Sequence, residues 1–343
     1  MLFTSSHSIN SLNINLIKTI LNETDVKKVY SGTVFPKSID YSFKGNYMTL
    51  TDITLRQLTI APIIQEKPSH VSNQIIVKNL NIPSLLSIDW IHDLIYWTDI
   101  NTINVLHINR PNDYYTIIIT VKTPQVLIAN PMDSCLIWTE IGPKPQIWRS
   151  LQDGSQQTVL YSTDKQPFHL INDIHLKRYF FINTGGYLNS INYQGGDEKA
   201  HFQSERLHNI NNAVIYGDNI FLSIDSSLFS INKFGHNSGE VLFAPKVSSS
   251  NNLMVRYLLD FKLIDSILQL DIENKCRFAK CSHLCLPSNQ SFRCLCPEKH
   301  FLLKDSICVE NSIINVVENS VMKNQSLFPP TPHSILTRSL LKK

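Results

Sequence analysis

An internal repeat constrains this chain more than any other feature of its sequence. Leu86-Ser87-Ile88-Asp89-Trp90-Ile91-His92-Asp93-Leu94-Ile95-Tyr96-Trp97-Thr98-Asp99 reads as two apolar strands around a tight polar turn. Weaker copies occupy Ser38 to Asp52, Val126 to Glu140, His169 to Asn183 and Ala213 to Ile224. Aligned on one position, Thr51, Thr98, Thr139, Ile182 and Ser223 follow one another at 47, 41, 43 and 41 residues. A copy without its first strand opens the chain at Leu2-Phe3-Thr4-Ser5, 47 residues before Thr51. Roughly 40 to 50 residues make one four-stranded propeller blade. Six such registers predict an all-β, six-bladed β-propeller over residues 1–270.

The ends bear on closure. Leu253-Met254-Val255-Arg256-Tyr257-Leu258-Leu259 is an apolar strand with no copy after it, and Leu2 to Ser5 has no strand before it. Pairing the segment 253–259 beside 2–5 removes the open edge that either strand would leave. Turn chemistry agrees with hairpins throughout. Gln152-Asp153-Gly154-Ser155 stands between Ile147-Trp148-Arg149 and Thr158-Val159-Leu160, and Asp-Gly tolerates the positive φ of a type I′ turn.

Composition narrows the partners. With 43% hydrophobic residues the chain holds enough apolar matter for a packed core. A net charge of +3, from 31 Lys and Arg against 28 Asp and Glu, leaves no basic excess to steer nucleic acid. No run approaches the roughly 18 apolar residues of a spanning helix. Met1 to Ser6 has neither the basic nor the apolar region of a secretory signal, so the sequence reads as a fragment of a larger protein.

Six of the seven cysteines fall between residues 276 and 308, the density of a disulfide-stapled extracellular module. Cys276, Cys281, Cys285, Cys294, Cys296 and Cys308 permit 15 pairings by counting alone. They lack the paired C-x-x-C knuckles of a zinc site. Cys135, on a blade strand, is expected to be a buried unpaired thiol. Residues 309–343 are polar, carry Phe328-Pro329-Pro330-Thr331-Pro332, and read as a disordered tail or stalk.

Asp89-Trp90-Ile91-His92 followed by Tyr96-Trp97-Thr98-Asp99 resembles a class B (YWTD) repeat of the low-density lipoprotein receptor family, and Ile137-Trp138-Thr139-Glu140 resembles the next repeat. The resemblance extends over residues 1 to about 308, including the order of propeller then EGF-like module. It implies that Tyr96, Trp97, Thr98, Trp138 and Thr139 are structural, and that Asp52, Asp99 and Glu140 hydrogen-bond toward a neighbouring blade. It also implies the pairs Cys276 with Cys285, Cys281 with Cys294 and Cys296 with Cys308. Asp271, Glu273 and Asn274 precede Cys276 with one residue inserted relative to calcium-binding modules, so no tight calcium site is expected.

The functional expectation is a non-catalytic extracellular or cell-surface module of an endocytic receptor. Its partner would be a lipoprotein, a vitellogenin or another secreted protein, bound or released in a pH-dependent way. No catalytic residue, cofactor or metal is expected, since no nucleophile, base or ligand signature occurs. His92, His107 and His169 are candidate pH-responsive groups because imidazole titrates in the endosomal range. Asn22, Asn289 and Asn324 begin glycosylation sequons. A Wnt co-receptor-like module and a nidogen-like matrix module are the alternatives. A calcium-dependent propeller hydrolase, using inner-strand acids such as Asp89 and Asp173, is the remote enzymatic one.

Overall fold

The protein is described by a computed structural model over residues 1–5, 8–12, 26–63, 74–110, 114–119, 121–224, 227–235, 239–243, 260–296, 300–303 and 307–310. Its regular structure is antiparallel β apart from short 3-10 turns. Five blades each use four successive strands. The first comprises Pro36–Ser42, Tyr47–Asp52, Gln57–Pro62 and Gln74–Val77. The second comprises Pro83–Asp89, Leu94–Asp99, Thr102–His107 and Tyr114–Ile119. The third comprises Pro124–Asn130, Cys135–Glu140, Gln146–Leu151 and Thr158–Ser162. The fourth comprises Pro167–Asp173, Arg178–Asn183, Tyr187–Asn192 and Lys199–Gln203. The fifth comprises Asn212–Tyr216, Asn219–Ile224, Ser227–Asn232 and Glu240–Phe243.

The expected six-bladed ring is corrected to five complete blades. The remaining four-stranded sheet is a composite of the two chain ends: Leu2–Ser5, Ser8–Leu12 and Val26–Ser31, with only a two-residue inner strand, Phe261–Lys262. Leu2 pairs with Lys262 and Phe3 with Phe261. Residues 253–259, expected to close the ring, lie outside the described residues. Asp260 sets the observed register. Its amide donates to Thr4 Oγ1 at 3.0 Å and its carbonyl accepts from the Thr4 amide at 2.9 Å, which places Phe261 opposite Phe3.

Packing follows from the alternation of a strand whose two faces are both covered. The second strand of the second blade is buried along nearly its whole length, so Tyr96 and Trp97 point in opposite directions. Trp97 packs with Leu58 and Ile60 of the first blade, and Tyr96 with Leu127 and Trp138 of the third. Trp138 stacks on Trp148, with ring centres 6.1 Å apart. Apolar core thus lies between blades, and the motif aromatics cement neighbours together.

The turns from inner to second strand share a geometry that composition hides. Asn46, Asp93, Ser134 and Lys177 each stand just before a second strand with φ of 50°, 53°, 47° and 52°. The left-handed conformation is set by the turn, although only Asn and Asp favour it intrinsically.

Carboxyl-terminal to the blades, Leu284–Pro287 pairs with Phe292–Leu295, and His300–Leu303 with Ile307–Glu310. The bonded pairs are Cys276 with Cys285, Cys281 with Cys294, and Cys296 with Cys308. The last strand carries regular structure two residues into the expected tail, and residues 311–343 lie outside the described residues.

Candidate functional site

Antiparallel blades put their connections on two opposite faces. The turns from second to third strand and the links between blades share one, called here the link face. The turns from inner to second and from third to outer strand share the other, the module face.

On the link face, the motif acids hold the loops. Asp52 Oδ2 accepts hydrogen bonds from the Val34 and Phe35 amides at 2.7 and 3.1 Å, and Oδ1 from the Leu55 amide at 2.9 Å. Asp99 accepts from the Asn81 and Ile82 amides at 3.0 and 2.6 Å. Glu140 accepts from the Lys122 amide at 3.1 Å and from Trp138 Nε1 at 3.0 Å. Each acid therefore fastens the link that arrives from the preceding blade, satisfying amides that no strand partner reaches. The threonines act between blades and within them. Thr51 Oγ1 donates to the Ser84 carbonyl of the next blade at 2.6 Å, and Thr98 Oγ1 accepts from the Leu85 amide at 3.0 Å. Thr139 is buried in the equivalent strand. The Tyr96 hydroxyl donates to Gln152 Oε1 at 3.0 Å.

Pinning these amides turns apolar side chains outward. Val34, Phe35, Leu55, Ile82, Ile100 and Ile141 are exposed, and all belong to link-face loops of the first three blades. Ile100 is 51% exposed and holds φ at 55°, a conformation that costs a β-branched residue on the order of 1–3 kcal/mol. Lys37, Arg56, Lys78, Lys122 and Lys144 are exposed around them, while both oxygens of Asp52 and Asp99 are occupied by amides and Glu140 Oε1 by the Lys122 amide and the Trp138 indole. Among the described residues, no large apolar side chain is exposed on the link-face segments 184–186 and 204–211. Among the described residues, the link-face patch lies on the first three blades. Contiguous exposed apolar surface rimmed by polar groups marks an interaction site on a folded protein.

Part of the module face is covered, while Phe43, Leu176 and Phe234 stay exposed there. Residues 265–275 run across it, tied by Tyr216 Oη to Asp265 at 2.7 Å, by the His175 ring to the Ile267 carbonyl at 3.1 Å and by Trp90 Nε1 to the Leu270 carbonyl at 3.0 Å. The disulfide module then packs on the second and third blades. Leu284 and Leu286 join the core of Tyr96, Leu136 and Trp138. Lys275 Nζ reaches Ser134 Oγ at 2.7 Å and the Ser288 carbonyl at 2.8 Å, and Arg293 pairs with Asp153 at 3.0 Å. The contacts of this clamp carry no local signature in the sequence, since Lys275 and Ser134 stand 141 residues apart and Arg293 and Asp153 stand 140 apart.

The three histidines singled out earlier are spread through the fold. His92 is buried beneath the disulfide module, with Nδ1 2.8 Å from Asp89 Oδ2 and Nε2 accepting from the Lys275 amide at 3.2 Å. His107 Nδ1 accepts from the Asn109 amide at 3.1 Å, and burial lowers its pKa. His169 Nε2 lies 3.0 Å from the Ile210 carbonyl inside the ring, where burial lowers its pKa to about 4. None of them stands in the exposed link-face patch. Asn289 is exposed, whereas Asn22 and Asn324 lie outside the described residues. Cys135 is a free, buried thiol whose pKa burial pushes up to about 12.

The inner-strand acids are engaged separately. Asp89 binds His92, and Asp173 binds Lys233 Nζ at 2.8 Å. Among the described residues no three His, Cys, Asp or Glu side chains gather as metal ligands. No described helix is long and apolar enough to cross a membrane.

Comparison with known proteins finds distant similarity to two vitellogenin receptors. The chain is 23% identical over 279 residues to the vitellogenin receptor Yl of Drosophila melanogaster, covering 78% of this chain and 13% of that protein. It is 23% identical over 260 residues to the vitellogenin receptor of Solenopsis invicta, covering 72% of this chain and 14% of that protein. This chain is a multi-bladed propeller with a disulfide-bonded carboxyl-terminal region, distantly similar to vitellogenin receptors. It spans about an eighth of the length of the receptors it matches. A chain of the solved nidogen/laminin complex shares the fold, with a TM-score of 0.58 at 19% identity, over 67% of this chain and 88% of that one. No model of a known protein family matches.

Proposed function

We propose that this chain is a non-catalytic, extracellular ligand-binding module of an endocytic receptor of the vitellogenin or lipoprotein class. In this reading it is a YWTD-type propeller with an EGF-like module behind it, and its ligand is a secreted protein. The observation that carries the reading is the division of labour between faces. The disulfide module and its connecting segment occupy the module face, while Phe35, Ile82 and Ile100 stand exposed among cations on the link face. Three disulfides within 33 residues suit an oxidising compartment. Exposed apolar anchors with a charged rim are what a protein partner buries.

Purified vitellogenin flowed over the immobilised, secreted chain tests this. Saturable binding is expected, weakened at least tenfold by Phe35→Ser with Ile82→Ser. Absence of saturable binding to the folded chain would overturn the assignment of vitellogenin as its ligand.

A further inference from the structure

Among the described residues, Asn289-Gln290-Ser291 is the one Asn-x-Ser/Thr triplet, and its middle residue is not proline. It forms the tip of the hairpin that joins Leu284–Pro287 to Phe292–Leu295. The Ser288 amide donates to the Ser291 carbonyl at 2.9 Å, which closes the turn around Asn289 and Gln290. Cys285 and Cys294 face one another across the two strands, and each is bonded elsewhere, to Cys276 and to Cys281. Both arms of the hairpin are thereby fixed. Leu284 and Leu286 on one arm are buried against the propeller, while Asn289, Gln290 and Ser291 are all exposed.

At this tip the backbone is held and the side chains are not. Lys275 Nζ donates to the Asn289 carbonyl at 2.5 Å, to the Ser288 carbonyl at 2.8 Å and to Ser134 Oγ of the third blade at 2.7 Å. Among the described residues, no hydrogen bond engages the Asn289 carboxamide or the Ser291 hydroxyl. The two groups that define the triplet chemically, a carboxamide nitrogen and a hydroxyl two residues on, therefore both stand in solvent with no structural task.

We propose that Asn289 carries an N-linked glycan, transferred from a lipid-diphosphate-linked oligosaccharide by an oligosaccharyl transferase. The proposal rests on the extracellular reading above, because the donor meets a chain in the same oxidising secretory compartment in which the three disulfides form. In the transfer, Nδ2 of Asn289 forms a bond to C1 of the first sugar, and the C1–O bond to the diphosphate breaks. The Nδ2 proton passes to a base of the transferase, the lipid diphosphate leaves with the electron pair, and nothing is oxidised or reduced. The fold must then accommodate the product, and an exposed turn tip does so without burying a sugar. Because Lys275 bridges this turn to Ser134, the glycan is rooted beside the third blade on the module face, away from Phe35, Ile82 and Ile100. A bulky, hydrated chain there narrows the module face to partners and leaves the link face open.

The test is peptide mapping of the full chain, secreted from mammalian cells behind a heterologous leader and treated with peptide N-glycosidase in heavy-oxygen water. Heavy oxygen incorporated at position 289 in most secreted chains is expected. Asn289→Gln and Ser291→Ala are each expected to lower the intact mass by one glycan while the three disulfides stay formed. Ser291→Thr, which keeps the hydroxyl, is expected to keep the glycan. An unmodified Asn289 in most secreted chains whose disulfides have formed overturns the proposal, and so does an intact mass unchanged by Asn289→Gln. Vitellogenin binding by the same secreted chain is measured separately. A glycan at Asn289 without binding overturns the ligand assignment alone, and binding by a chain unmodified at Asn289 overturns this proposal alone.

Discussion

The Ser38 hydroxyl donates to Asp260 Oδ2 at 2.9 Å across 222 residues of sequence. The Ile39 amide donates to the same oxygen at 2.9 Å, and Asn212 Nδ2 donates to the other. Asp260 itself is bonded through its backbone to Thr4. One buried carboxylate thus joins the chain-end sheet to the first and fifth blades.

Asp260→Ala removes an acceptor shared by three donors and leaves them buried. Hydrogen bonds to a charged group contribute about 1.5–3 kcal/mol each, without strict additivity. A loss of about 3 kcal/mol is expected, read from urea denaturation. A change under about 0.5 kcal/mol, the range of ordinary surface substitutions, would show that ring closure does not depend on this clasp.

Asp99→Ala frees the Asn81 and Ile82 amides. A stability loss of about 1–2 kcal/mol is expected, comparable to losing a helix cap. Amide exchange should accelerate at Ile82 while Ile95 keeps its protection. Ligand binding at the link face should weaken although the carboxylate need not touch the ligand. Unaltered exchange at Ile82 would contradict the role given to the acid.

His169 makes stability depend on pH. Its folded pKa of about 4 lies below the unfolded value of 6.5, so the unfolded chain binds the proton more readily. The contribution is full above about pH 6.5 and is lost as pH falls toward 4. At pH 5 the loss amounts to about 2 kcal/mol relative to pH 7.4. His169→Gln should flatten this part of the profile in urea titrations at the two pH values. Parallel profiles for the two proteins would show that His169 is not the group responsible.

Ile100→Gly relieves a left-handed φ on an exposed β-branched residue and should stabilise the fold by about 1 kcal/mol. The same change removes an apolar contact from the patch and should weaken ligand binding. Thermal melting and binding measured together separate the two effects. Unchanged binding would place Ile100 outside the interface.

Local signals made the blades legible. The run Leu94 to Asp99 is a short, nearly continuous apolar stretch of strand length, and repetition at blade spacing converted strands into a propeller. That the chain ends meet beside Leu2–Ser5 was legible, but the observed partner Phe261–Lys262 was not, because it is too short to carry a periodic signal and its position depends on the contact between Asp260 and Thr4. The motif acids were recognisable, but their amide partners in the links at Val34 and Ile82 were not, since nothing in those loops advertises an unsatisfied donor. The link-face patch stayed hidden for the same reason. Ile82 and Ile100 look like ordinary strand-forming residues until the fold places them outside the core. His92 looked like a turn residue, and only the packed disulfide module shows it buried.

The central claim is that ligand binds the link face and leaves the module face untouched. Two variants of the secreted chain, compared by surface plasmon resonance against purified vitellogenin, test it most directly. The first carries Phe35→Ser, Ile82→Ser and Ile141→Ser on the link face, and the second carries Phe43→Ser and Leu176→Ser, exposed on the module face. With both folded, the account predicts at least a tenfold loss of affinity in the first and less than a twofold change in the second. Full affinity in the link-face variant, or loss confined to the module-face variant, would contradict it.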